Sequence, residues 1–154
     1  MIIGVIACCR RLDDHRILLI KRKDFGYWSI PGGMVELGES LEAAIKREVV
    51  EETSVVLTNC EYYGTYIKTL PLMKDLTHAF HCKTDHYAAV TSDETIEVGW
   101  FDEETAMRMV PVFIAEMISD SRTKHYSARI QNRYPLWLIF RFLKYRILKN
   151  IMNP

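Results

Sequence analysis

Three carboxylates, Glu48, Glu51 and Glu52, fall within five residues of one another inside the stretch GGMVELGESLEAAIKREVVEETSV, residues 32–55. Acids that close can hold a cation or move a proton; they can also be no more than a solvated acidic face. The element that carries them decides. Ser40 is a good N-cap, Glu39 and Glu42 sit near the positive end of a helix dipole, and few breakers interrupt residues 41–50, so the sequence predicts a helix from about Ser40 to Thr53. At about 100° per residue, Leu41, Ala44 and Ile45 share one face, and that face runs on into Glu48 and Glu52, with Glu51 one step around. The apolar stripe ends in acids. Like charges three and four residues apart each cost about 0.2–0.5 kcal/mol, and the end of the dipole also disfavours anions, so something positive must offset them. Oxygen ligands on a rigid helix suit a hard cation such as Mg²⁺ or Mn²⁺, which keeps waters and bridges phosphates. Arg47, flanking the cluster, is either a bidentate partner or an exposed base.

Counted from Gly33, the chain reads Gly, five residues, Glu39, seven residues, then Arg47-Glu48-Val49-Val50-Glu51-Glu52-Thr53-Ser54-Val55. This resembles the signature box of the Nudix hydrolases and matches eight of the nine positions that the family pattern fixes over twenty-three residues. The departure is Ser54, where the family has Gly. A non-Gly residue in a left-handed position past a helix end costs on the order of 1 kcal/mol, so the change bears on the local turn rather than on the ligands. The resemblance extends more loosely over about residues 5–109.

What it implies can be stated residue by residue. The fold would be α/β: a Nudix-type α/β/α sandwich with a mixed sheet, the box helix on one side and the later helices on the other. The reaction would be hydrolysis of the diphosphate bond in a nucleoside diphosphate linked to another moiety. Glu48, Glu51 and Glu52 would hold one to three divalent ions, and Glu51 or Glu94 would take the proton of the attacking water. Glu39 and Arg47 would orient the ligands around the catalytic centre. A nucleotide sensor without catalysis is the alternative, although it has no need of three clustered acids.

The flanking segments must position this box. MIIGVIACC is an apolar run too short for a leader and meets Arg10 and Arg11 at once; with RILLIKR it reads as a hairpin over residues 2–22. Arg22 and Lys23 end its second strand, either as phosphate contacts or as an ordinary charged strand end. In DFGYWSIPGG, Trp28 and Ile30 point one way, Pro31-Gly32-Gly33 reads as a turn, and the Gly32 carbonyl is a candidate further metal ligand. VVLTNCEYYGTYIKTL gives one or two strands broken near Asn59 and Gly64, Pro71 to Asp75 reads as a loop, and LTHAFHCK is a strand. His78 and His81 on it are pocket-shaping or structural residues. In TSDETIEVGWFDEETAMRM, Glu94 lies in a loop and is preferred to Glu97 as the extra carboxylate; Trp100 and Phe101 read as core, and Asp102 as the N-cap of the next helix. Pro111 opens another helix, about Val112 to Ser121, with Phe113, Ile114, Met117 and Ile118 separated from Val112, Ala115, Glu116 and Ser119.

A chain of 154 residues with 49% hydrophobic and 26% charged side chains is one ordinary domain by size. Cys8, Cys9, Cys60 and Cys82 lack metal-ligand spacing; Cys8 and Cys9 would face opposite sides of a strand, and all four read as reduced thiols of a cytoplasmic protein, a disulfide being the lesser reading. The net charge of zero hides two halves. Residues 1–121, the expected Nudix domain, carry twelve basic and twenty acidic side chains, whereas residues 122–154 carry eight basic ones and no acid. Within this extension YPLWLIFRFLKYRILKNIM reads as a basic amphipathic helix, too short and too charged to span a bilayer. Residues 135–152 could pack on the domain, join a homodimer or lie on an anionic membrane surface, which would make the protein peripheral to a membrane; contact with nucleic acid is the least favoured reading.

Overall fold

The computed structural model describes residues 1–70, 73–123 and 125–131. Strands β1 (Ile2–Arg11), β2 (Ile17–Arg22), β3 (Trp28–Ser29) and β4 (Gly32–Met34) lead into helix α1 (Leu41–Thr53). Strands β5 (Asn59–Leu70), β6 (Met73–Thr84) and β7 (Thr95–Phe101) follow, then helices α2 (Glu103–Met109) and α3 (Val112–Asp120), and the short strand β8 (Arg129–Ile130). Among the described residues these strands form one mixed eight-stranded sheet in the order β3-β2-β1-β6-β5-β8, with β4 also on β1 and β7 also on β2. β1–β6 and β5–β8 are parallel; the other pairs are antiparallel.

Two apolar layers cover the sheet. On one face Ala44, Ile45 and Val49 of α1 pack on Val5, Ala7, Cys9, Leu18, Phe80 and Cys82. On the other, Ala106, Phe113, Ile114, Met117 and Ile118 of α2 and α3 pack on Cys8, Ile17, Leu19, Tyr63, Tyr66 and Ala79. Neighbours in sequence therefore go to opposite layers: Cys8 and Cys9 do, as do Ile17 and Leu18. This is why β1 and β2 read as unbroken apolar runs rather than as alternation, since both of their faces are buried. The α/β/α sandwich follows.

Local expectations fare unevenly. Ser40 caps α1 by accepting from Ala43 N–H, and Asp102 caps α2 by accepting from Thr105 N–H. The hairpin over 2–22 is a hairpin only at its base, where Arg10 faces Ile17; β1 then pairs along its full length with β6, and β2 turns to β7. Pro31-Gly32-Gly33 is not a turn, because Gly32 to Met34 lie extended against Gly4 to Ile6. Nor is Asp75 in a loop: β6 already begins at Met73. β5 runs unbroken from Asn59 and absorbs the expected break at Gly64 as a register shift.

The extension placed from residue 122 begins inside the packed domain. Tyr126 N–H donates to Tyr63 O and Gln131 N–H to Ile67 O, and β8 pairs with Tyr66 and Ile67 of β5. Asp120, buried at the end of α3, accepts from the Tyr66 hydroxyl at 2.9 Å and pairs with Arg129. The expected helix over 135–152 lies outside the described residues.

α1 ends on the substituted position. Ser54 adopts φ 60° and ψ 7°, the left-handed region, and its N–H closes the helix onto Val50 O. The turn is thus made in spite of the missing Gly, at the steric cost of a Cβ. Ser54→Gly is expected to stabilise the fold by about 0.5–1 kcal/mol, read as a higher urea midpoint at unchanged m value.

Candidate active site

α1 turns its acids through a gradient of exposure. Glu52 is 2% exposed, Glu48 is half-buried and Glu51 stands in solvent. The buried stripe of Ala44, Ile45 and Val49 forces Glu52 inward, as the periodicity requires. Two extended glycines of β4 receive it. Gly32 N–H donates to Glu52 Oε2 at 2.9 Å. A Cβ on Gly33 would stand 2.3 Å from the Glu48 carboxylate, and one on Gly32 2.2 Å from Val5 O, so only residues without side chains let β4 lie between β1 and these acids.

Part of the positive offset that the acidic stripe demands is present in the chain itself. Arg47 uses all five of its N–H donors: two on Glu39 at 3.0 and 2.9 Å, one on Glu48 at 2.9 Å, one on Glu51 at 3.0 Å and one on Met34 O at 3.0 Å. It ties the entry to α1 to the end of α1. Glu39 also accepts from Glu36 N–H, and its carboxyl is held below the usual range by the Arg47 bonds first. Arg22, at the end of β2, is a second such clamp. It holds Asp24 through two bonds at 3.0 and 2.9 Å, Glu52 at 3.3 Å and Gly32 O at 3.4 Å. Arg22 is accordingly placed at the site with its guanidinium engaged by protein acids, and Asp24, which the sequence reading passed over, is its main partner. The only signal was the spacing Arg22-x-Asp24 at a strand end.

Other expected residues are distributed as follows. Glu94 comes to the acids: Lys23 N–H donates to Glu94 O, Ser92 Oγ accepts from Glu94 N–H, and the Glu94 charge contributes to raising the carboxyls of both Glu48 and Glu52. Glu97 lies on β7, exposed and paired with Lys21. The Lys23 side chain is exposed. Trp28 packs edge-on against Phe101 beside the α2–α3 layer. His78 is bonded to Thr65 Oγ1 at 2.8 Å, in contact with the Tyr62 ring. Trp100 packs with the α1 layer and donates to Tyr87 O.

Burial and mutual repulsion leave the acids undercompensated. Burial first, then Glu51 and Glu94, push the Glu48 carboxyl up, with Arg47 opposing. Burial, Glu48 and Glu94 push Glu52 from the ordinary 4.5 to about 7, against Arg22 and the Gly32 N–H. Six carboxylates, Asp24, Glu39, Glu48, Glu51, Glu52 and Glu94, stand against two guanidiniums. Among the described residues no three Asp, Glu, His or Cys side chains converge as a ready metal cage; Arg47 draws Glu48 and Glu51 to itself while Arg22 draws Glu52. The donor set, all oxygen with excess negative charge, fits a hard divalent cation.

Because folded Glu52 holds its proton more tightly than the unfolded chain does, its contribution to stability is present at low pH and is lost as pH rises from about 4.5 through about 7. The loss amounts to about 3 kcal/mol. Urea unfolding across that range should show this fall in the unmodified chain and not in Glu52→Gln.

Comparison with known proteins agrees with the geometry. The family model described as the NUDIX domain matches residues 2–120. A MutT-like protein of Streptomyces ambofaciens is 36% identical over 107 residues, covering 69% of this chain and 68% of that one. An NAD-capped RNA hydrolase, NudC, of Citrobacter koseri is 32% identical over 98 residues, covering 63% of this chain and only 37% of its own length. The crystal structure of a MutT protein from Methanosarcina mazei Go1 superposes with a TM-score of 0.67 at 27% identity, covering 77% of this chain and 90% of that one. Members of this family generally use a divalent metal. With the box helix, its acids and the two-layered sheet all in place, the chain belongs to the Nudix hydrolase family.

Proposed function

We propose that the protein hydrolyses the diphosphate bond of a nucleoside diphosphate linked to another moiety, a nucleoside triphosphate, nucleotide sugar or dinucleotide, in the presence of Mg²⁺ or Mn²⁺. One observation carries this reading: buried Glu52, half-buried Glu48 and exposed Glu51 remain undercompensated beside the Gly32–Gly33 strand, with Glu94 brought to them from another loop. A polyphosphate could not approach such a site unaided, because its charge has the same sign.

Glu48, Glu51 and Glu52, with the Gly32 carbonyl, would hold the metal. When bound, it supplies charge neutralisation for the phosphate oxygens and acidifies a water. The remaining work falls to the chain. Arg47 fixes the directions of Glu48 and Glu51 and restrains the loop through Glu39 and Met34 O. Arg22 and Gly32 N–H hold Glu52. Glu51, held by a single Arg47 bond, or Glu94, both exposed, would take the proton from the attacking water. The family relatives support a nucleotide-type substrate, and the cytoplasm suits one.

The test is phosphate release from a panel of nucleoside triphosphates, nucleotide sugars and dinucleotides with and without Mg²⁺. Activity should require the metal and disappear in Glu52→Gln. Replacing the general base by Gln should lower kcat by about a hundredfold or more at an unchanged Mg²⁺ requirement, so Glu51→Gln and Glu94→Gln compared across a Mg²⁺ titration identify it. Silence of the unmodified chain on the whole panel with either metal would leave a nucleotide sensor in place of the enzyme.

A further inference from the structure

Cys9, Cys82 and Cys60 stand side by side on β1, β6 and β5, with Cys82 the register partner of both of its neighbours. All three belong to the layer under α1. Cys9 and Cys82 are fully buried there, whereas Cys60 packs on the same cluster and keeps part of its surface open to solvent.

Geometry distinguishes one pair in this row. β5 and β6 are antiparallel and Cys60 and Cys82 are register partners across them, so the two residues stand directly opposite each other. Directly opposed residues on antiparallel strands have Cα atoms about 4.5–5.5 Å apart. Disulfides span about 4.4–6.8 Å between Cα atoms. Opposed register partners such as these therefore stand within the span that a disulfide bridges. Cys9 also adjoins Cys82, but burial leaves its thiol without access to an oxidant and pushes its proton affinity far up. At Cys60 the sign is opposite: the neighbouring Cys82 thiol first, then the Lys46 ammonium, lower its thiol against burial, while Cys82 is raised by its Cys60 neighbour and by burial. The accessible sulfur is the one disposed to be a thiolate, and the buried one keeps its proton.

We propose that Cys60 and Cys82 are a thiol pair that closes a disulfide between β5 and β6 on exposure to a peroxide. The Cys60 thiolate attacks a peroxide oxygen; the O–O bond breaks, Cys60 becomes a sulfenic acid and one water leaves once the departing oxygen is protonated. The Cys82 sulfur then attacks the Cys60 sulfur, the S–O bond breaks, and the departing hydroxide leaves as a second water with the Cys82 proton. Two thiols and one hydrogen peroxide give one disulfide and two waters. The bond forms behind α1 and involves none of the carboxylates, so the inference is independent of the proposed hydrolysis.

The test treats the full folded chain with hydrogen peroxide, counts free thiols and maps peptides without reduction. Two of the four thiols, Cys8, Cys9, Cys60 and Cys82, should be lost, with one linked peptide joining Cys60 to Cys82 within a single chain, reversed by dithiothreitol. Oxidation should raise Tm in the unmodified chain and leave it unchanged in Cys60→Ser. In Cys82→Ala, whose exposed thiol is intact, Cys60 should instead be trapped as a sulfenic acid by dimedone. Persistence of all four thiols, a Cys9–Cys82 link or a Cys60–Cys60 link between chains would each overturn the proposal.

Discussion

Acids at helical spacing on a half-buried face repel one another, and everything around α1 is arranged to make that repulsion tolerable without removing it. Arg47 and Arg22 divide the task. The first reaches along α1 and back to the loop before it; the second reaches in from β2 and grips Glu52 from the sheet side. Neither has capacity to neutralise all that it touches, since Arg22 spends its bidentate contact on Asp24. The residue of negative charge is therefore built in. A fold selected only for stability would replace Glu52 by an apolar residue at this depth, as buried charges seldom contribute net stability.

The same region explains why β4 exists. A turn at Pro31-Gly32-Gly33 would point its backbone donors at solvent, whereas the extended strand delivers Gly32 N–H to Glu52 and leaves the Glu48 carboxylate the space that a Gly33 side chain would fill. The polar site and the sheet share these three residues. Disturbing one disturbs the other.

The sequence made α1 legible in full, from the Ser40 cap to the inward aim of Glu52, because a helix is governed by contacts three and four residues apart. The inner face of α3 was equally readable, and Phe113, Ile114, Met117 and Ile118 are all buried. Pairings between distant segments were not. The parallel register of β1 with β6 joins Ile2 to Asp75, and nothing local to either segment encodes it. The role of Arg22 was hidden for the same reason: its partner Glu52 is thirty residues away. Proline and glycine in Pro31-Gly32-Gly33 gave a turn signal, but the need for closeness between backbone and carboxylate selected the glycines instead.

The segment after α3 also has a topological meaning. The outer edge of β5 would present an open ladder of backbone donors and acceptors to any other extended chain, the usual route to unwanted strand addition. Arg129 and Ile130 occupy that ladder opposite Tyr66 and Ile67, and Gln131 extends the cover. They lie beyond the stretch that the family model matches. The short strand after α3 thus shields part of the margin of the sheet from strand addition, a protective task set apart in the chain from the acids of α1.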